Sequence, residues 1–136
     1  MNQLLDTNAC SVFCPDRILD LESSTFADDI HELEDAVGFE FMCIKCVRKA
    51  LVQHIGTFFD NGCRAAEHSM GYISYAEASV EELSAIFRKA MAGEALTRHE
   101  IDAYKTDLLQ TCAREYARRG MDMQIRFSCP VADSSL

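Results

Sequence analysis

Apolar residues recur at helical spacing along four stretches of the chain. Phe26, Ile30, Leu33 and Val37 follow Ser24 and Thr25, which predicts an amphipathic helix from about Thr25 to Val37 with Gly38 as its stop. Ile44, Val47, Leu51, Ile55 and Phe58 form a second stripe, ended by Asn61 and Gly62, residues that tolerate left-handed backbone. Ser79 with Glu82 has the spacing of a capping box, in which each side chain satisfies the other residue's backbone N–H. It opens a helix carrying Leu83, Ile86, Phe87 and Ala90 and closed by Gly93. Thr97 with Glu100 repeats the device. The longest helix starts there, with Ile101, Tyr104, Leu108, Cys112 and Tyr116 facing inward and Gly120 at its end.

Two short stretches depart from that period. Cys63 to Glu67 reads as a buried strand entered directly from a helix, with His68 and Ser69 at its carboxyl end. Met121, Met123, Ile125 and Phe127 alternate with polar residues, which predicts another strand, although methionine favours strands less than β-branched residues do. Strand, helices and strand make a βαβ unit, so the two strands are expected to be parallel with a right-handed connection. Upstream, Val12 and Phe13 are an isolated apolar pair, and Pro15 is expected to stop any strand there. Met1 to Asn8 is polar and unpatterned, and Ala132 to Leu136 reads as a frayed tail.

At 136 residues, 49% hydrophobic and 26% charged, the chain is expected to form one domain around a modest core. A formal charge of -9 argues against nucleic acid or an anionic membrane as partner, since either needs clustered cations to meet phosphate. The start of the chain lacks a signal-peptide pattern, and a cytoplasmic location is the expectation. Seven cysteines, an odd number without regular spacing, suit reduced thiols better than a disulfide framework.

Several separated motifs carry a resemblance. Gly62-Cys63-Arg64-Ala65-Ala66-Glu67-His68 and, much later, Arg119-Gly120-Met121-Asp122-Met123-Gln124-Ile125 follow the order of a G-C-R-x-x-D-H strand and a strand opening M-Q-L-H. Phe13-Cys14-Pro15-Asp16-Arg17 is similar to an F-R-P-D-K segment, and Phe26-Ala27-Asp28-Asp29-Ile30 to the helix start after it. Tyr75 to Ala78, Ala92 to Leu96 and Arg114 to Gly120 also have counterparts. From about Val12 to Ile125 the chain thus resembles the middle of the uronate isomerases, a family of amidohydrolase-like barrels. The fold class this implies is α/β, a partial (β/α)8 TIM barrel, helix-rich with a few short parallel strands. A whole barrel takes about 200 to 250 residues or more.

The resemblance implies aldose-ketose isomerisation of D-glucuronate or D-galacturonate to D-fructuronate or D-tagaturonate, with a divalent metal such as zinc in the family. Such chemistry moves a proton between adjacent carbons, so it needs a general base, a group that polarises the carbonyl and a cation for the substrate carboxylate. The family pattern places an arginine in F-R-P-D-K, an aspartate in G-C-R-x-x-D-H and a histidine in M-Q-L-H. This chain has Cys14, Glu67 and Arg126 instead. A thiol offers no forked cation, Glu67 shifts the carboxylate by one methylene, and a guanidinium has no lone pair for a proton or a metal. His31, His54, His68 and His99 never fall two apart, so the family's H-x-H metal pair has no match.

The expectation is that Glu67 and His68 hold the catalytic positions and Arg64 a substrate-binding one. No metal is expected on this chain, and no turnover. The plainer reading of Arg64 and His68 is that they are solvated or hydrogen-bonded at a strand end. Asp16 and Arg17 are expected to shape the turn after Pro15, Glu81 and Glu82 to suit a helix start, and His31, His54 and His99 to lie on the surface. Two rival readings remain. Cys10, Cys14, Cys43 and Cys46 could ligate zinc, the second pair having a two-residue gap common in such sites. Alternatively, the chain is a non-catalytic helical interaction protein whose partial sheet is completed by a partner or by self-association.

Overall fold

A computed structural model describes residues 12–70 and 75–127. The elements run β1 (Val12–Phe13), α1 (Asp16–Leu19), α2 (Phe26–Val37), α3 (Ile44–Asp60), β2 (Ala65–Met70), α4 (Val80–Met91), α5 (Arg98–Arg119) and β3 (Asp122–Phe127). The strands form one parallel sheet in the order β1-β2-β3. This is the helix-rich α/β arrangement expected, with two boundaries moved. The strand foreseen at Cys63 to Glu67 begins at Ala65 and continues to Met70, because Ser69 and Met70 pair with Arg126 and Phe127. Cys63 and Arg64 instead finish the exit from α3, where Gly62 takes φ +97° and the Cys63 N–H donates to the Phe58 carbonyl at 3.0 Å. Pro15 does not prevent a strand before it. Val12 and Phe13 pair with Ala65 and Ala66, and Pro15 then stands at the N-cap of the short α1.

Both predicted capping boxes form, Ser79 with Glu82 and Thr97 with Glu100. The start of α3 is capped from elsewhere. Its N-cap residue Cys43 makes no side-chain cap bond, and the buried Ile44 N–H instead donates to Ser84 Oγ of α4 at 3.0 Å. Arg48 of α3 and Asp107 of α5 form a forked ion pair. Tyr104 donates its hydroxyl proton to the Ile18 carbonyl at 2.6 Å, which pins α1 to the longest helix.

One sheet face packs against the helices. Phe13 and Ala66 are fully buried there, and the Phe13 ring meets Phe58 and Tyr116 edge-on, with centroids 5.0 and 6.3 Å apart. His54, expected at the surface, belongs to the same cluster. It is 4% exposed, one turn before Phe58 on the inner side of α3, with its ring 5.0 Å from that of Phe58 and 5.8 Å from that of Phe13. His31 and His99 are exposed, as expected. Ala65, Glu67, Ser69, Asp122, Gln124 and Arg126 share the other face and are half-buried or exposed.

Candidate functional site

The carboxyl ends of parallel strands concentrate polar groups because the chain turns there and side chains leave the sheet in converging directions. Here the convergence comes from all three strands. β1 delivers Cys14 and Asp16, β2 delivers Glu67 and Ser69, and β3 delivers Arg126. Both Asp16 carboxylate oxygens accept from the Ser69 N–H, at 3.1 and 3.3 Å, which ties the start of α1 to β2. Residues paired across parallel strands share a face, and Glu67 pairs with Gln124 while Ser69 pairs with Arg126. Glu67 and Arg126 are therefore same-side neighbours, and Arg126 Nη2 lies 2.5 Å from Glu67 Oε2. Glu67 is the more sheltered partner, its side chain 21% exposed against 72% for Arg126.

Cys14 is exposed, but desolvation of its thiol raises its pKa. A hydrogen bond from the Asp16 backbone opposes that rise, and the carboxylates of Asp16 and Glu67 add to it. The thiolate is thus disfavoured, and Cys14 is a poor nucleophile where it stands.

His68 follows Glu67 in sequence but points the other way, as consecutive strand residues must. It is 1% exposed on the helix-covered face, and its Nε2 lies 2.9 Å from the Tyr116 hydroxyl. Its Nδ1 is buried without a hydrogen-bond partner. Burial holds the imidazole below its ordinary pKa, partly offset by the Asp16 charge. Arg64 sits before the amino end of β2, at the opposite end of the strand from Ser69. It donates to the Phe59 and Cys63 carbonyls and stacks 3.8 Å from the Phe59 ring centroid. Of the three residues expected to carry chemistry, the structure brings only Glu67 into the cluster. Asp16, expected only to shape a turn, is a full member of it. Its place directly after a strand and a proline was the available signal.

The metal implied by the resemblance would need several converging His, Cys, Asp or Glu side chains. Among the described residues no three His, Cys, Asp or Glu groups converge to hold an ion. Glu67 already faces a guanidinium, and both Asp16 oxygens are taken by the Ser69 N–H. The described residues do not fit the group. The zinc reading of the cysteines fares similarly: Cys43 and Cys46 lie with sulfurs 3.9 Å apart without a third ligand among the described residues, and Cys10 lies outside them.

Comparisons with known proteins agree with one another. Residues 2–133 match the model of the glucuronate isomerase family. A uronate isomerase of Halalkalibacterium halodurans is 37% identical over 112 residues, covering 82% of this chain and 24% of that protein. One of Endomicrobium trichonymphae is 29% identical over 131 residues, covering 96% and 28%. Among solved structures, the uronate isomerase of Thermotoga maritima superposes with a TM-score of 0.79 at 21% identity, over 84% of this chain and 25% of that one. The glucuronate isomerase of Caulobacter crescentus gives 0.72 at 21% identity, over 84% and 24%. The chain spans about a quarter of the length of these relatives.

Proposed function

Because the chain belongs to the glucuronate isomerase family, we propose that its strand-end cluster derives from a site for aldose-ketose isomerisation of a hexuronate, and that the 136-residue chain does not itself turn such a substrate over. The observation that carries this reading is the convergence of Asp16, Glu67 and Arg126 at the carboxyl ends of three parallel strands. Arg126 supplies the permanent cation that a substrate carboxylate needs, exposed enough to be reached. Glu67 is a carboxylate on the open sheet face placed to take a proton from a bound sugar, but its Oε2 is already engaged by Arg126. Asp16 spends both oxygens on the Ser69 backbone. His68, aimed into the helices, acts on this reading as an internal anchor for the strand rather than as a proton carrier.

The experiment is a coupled isomerase assay on the purified chain with D-glucuronate and with D-galacturonate, in the presence of zinc or manganese. The expected outcome is no turnover above background. Metal-dependent turnover abolished by a chelator would overturn the proposal and show that groups beyond Glu67 and Arg126 complete the site.

A further inference from the structure

The Cys43-Ile44-Lys45-Cys46 segment plays no part in the strand-end cluster, and its geometry is that of a reactive pair. Cys43 is the N-cap of the 17-residue α3, with extended backbone at φ -160° and ψ 175°, and Cys46 lies in the first turn. Their sulfurs are 3.9 Å apart and both residues are partly exposed. A two-residue gap at a helix start places the second thiol and the first-turn amides around the first thiol. Here the Cys43 sulfur lies beside the Cys46 thiol and the first-turn backbone of Cys46 and Lys45, and this polar surround, with the Lys45 ammonium, favours its thiolate. Because Cys43 precedes the helix, its side chain can swing toward Cys46 while its carbonyl still accepts from the Cys46 and Val47 amides.

We propose that Cys43 and Cys46 are a redox-active dithiol that closes to a disulfide by exchange with low-molecular-weight disulfides, Cys43 being the attacking sulfur. The Cys43 thiolate attacks one sulfur of the small disulfide, forms a mixed disulfide and expels one thiolate, which takes up a proton. Cys46 then loses its proton and attacks the Cys43 sulfur, forming the Cys43–Cys46 bond and expelling the second small thiol. One protein dithiol is oxidised, one small disulfide is reduced to two thiols, and the electrons balance. The other described cysteines are less suited. Cys63 and Cys112 are buried, burial pushes the Cys112 thiol up to about 12, and the Cys14 thiol is raised as well. The first-turn amides and Lys45 instead hold the Cys43 thiol below its ordinary value. The proposal is independent of the isomerase reading, since no residue of the strand-end cluster takes part.

The test uses the whole chain in mixtures of oxidised and reduced glutathione, quenched with acid, alkylated and mapped by mass spectrometry after trypsin. Cleavage after Lys45 separates the two cysteines, so a Cys43–Cys46 disulfide reveals itself as two peptides that part only on reduction. The expected results are that linkage, a glutathione adduct trapped on Cys43 in Cys46→Ser, and adduct formation at least about tenfold slower in Cys43→Ser. Independently of any variant, Cys43 of the unaltered chain should alkylate faster than Cys14 at pH 7. Disulfide or adduct formed mainly at other cysteines, or Cys43 alkylating no faster than Cys14, would overturn the proposal.

Discussion

Tyr116→Phe should be far more costly than the loss of one hydrogen bond suggests. Tyr116 is 1% exposed, and burial pushes its phenol well above the ordinary pKa, so the hydroxyl stays neutral beside His68 Nε2. His68 already leaves Nδ1 unpartnered in the interior. Removing the hydroxyl would leave both ring nitrogens without partners, and stranding a buried polar group costs about 1–3 kcal/mol, against about 0.5–1.5 for a typical net bond. At about 2.1 cal/mol/K of unfolding entropy per residue, 136 residues give roughly 0.29 kcal/mol/K, so a 2 kcal/mol loss lowers Tm by about 7 °C. The assay is thermal and urea unfolding of the wild type, Tyr116→Phe, His68→Leu and the double variant. If the argument holds, the double variant loses less than the sum of the singles, by about 1 kcal/mol, because no stranded nitrogen remains. A Tyr116→Phe change within about 0.5 kcal/mol of wild type, or a strictly additive cycle, refutes it.

Ser84→Ala should cost about 1–2 kcal/mol in urea unfolding, because it strands the buried Ile44 N–H at the start of α3, whereas Ser84→Thr should recover part of the loss. A pH series tests His68 from another side. Its folded pKa is depressed below the ordinary 6.5, chiefly by burial, so the unfolded chain binds the proton first as pH falls. Its contribution to stability is full above about pH 6.5 and declines below it. The carboxyls of Glu115, Glu82 and Glu100, lowered first by bonds from Arg118, the Ser79 backbone and Lys89 respectively, add their own loss only under more acidic conditions. Unfolding free energy should therefore fall between pH 6.5 and 5, and His68→Leu should flatten that interval while leaving the more acidic decline in place.

The helices were legible in the sequence because each satisfies its own backbone and advertises one apolar face. Ile101, Tyr104, Leu108, Cys112 and Tyr116 are all buried as their spacing requires, and both capping boxes need only residues three apart. What escaped depends on long-range pairing. Ser84 caps a helix that begins 40 residues earlier, and Asp16 holds a backbone group 53 residues later. His54 was misplaced because its stripe on α3 is wider than the five apolar residues that defined it, and its imidazole is buried in edge-type contacts with Phe13 and Phe58.

The strand-end cluster shows the same division more sharply. Glu67 and Arg126 each departed from the family pattern, and read singly each departure weakens the site. Only the register of β2 against β3 makes them neighbours, an ion pair that neither substitution foretells alone. The alternation of β2 itself separates Glu67 from His68, which adjacency in sequence had grouped together. A one-residue slip of β2 would turn His68 out to Arg126 and drive Glu67 into the apolar wall of Phe13 and Tyr116, where an unpaired carboxylate costs several kcal/mol. That penalty and the Tyr116 bond to His68 select the same register, so the buried contact on the helix side fixes which side chains the open face can present.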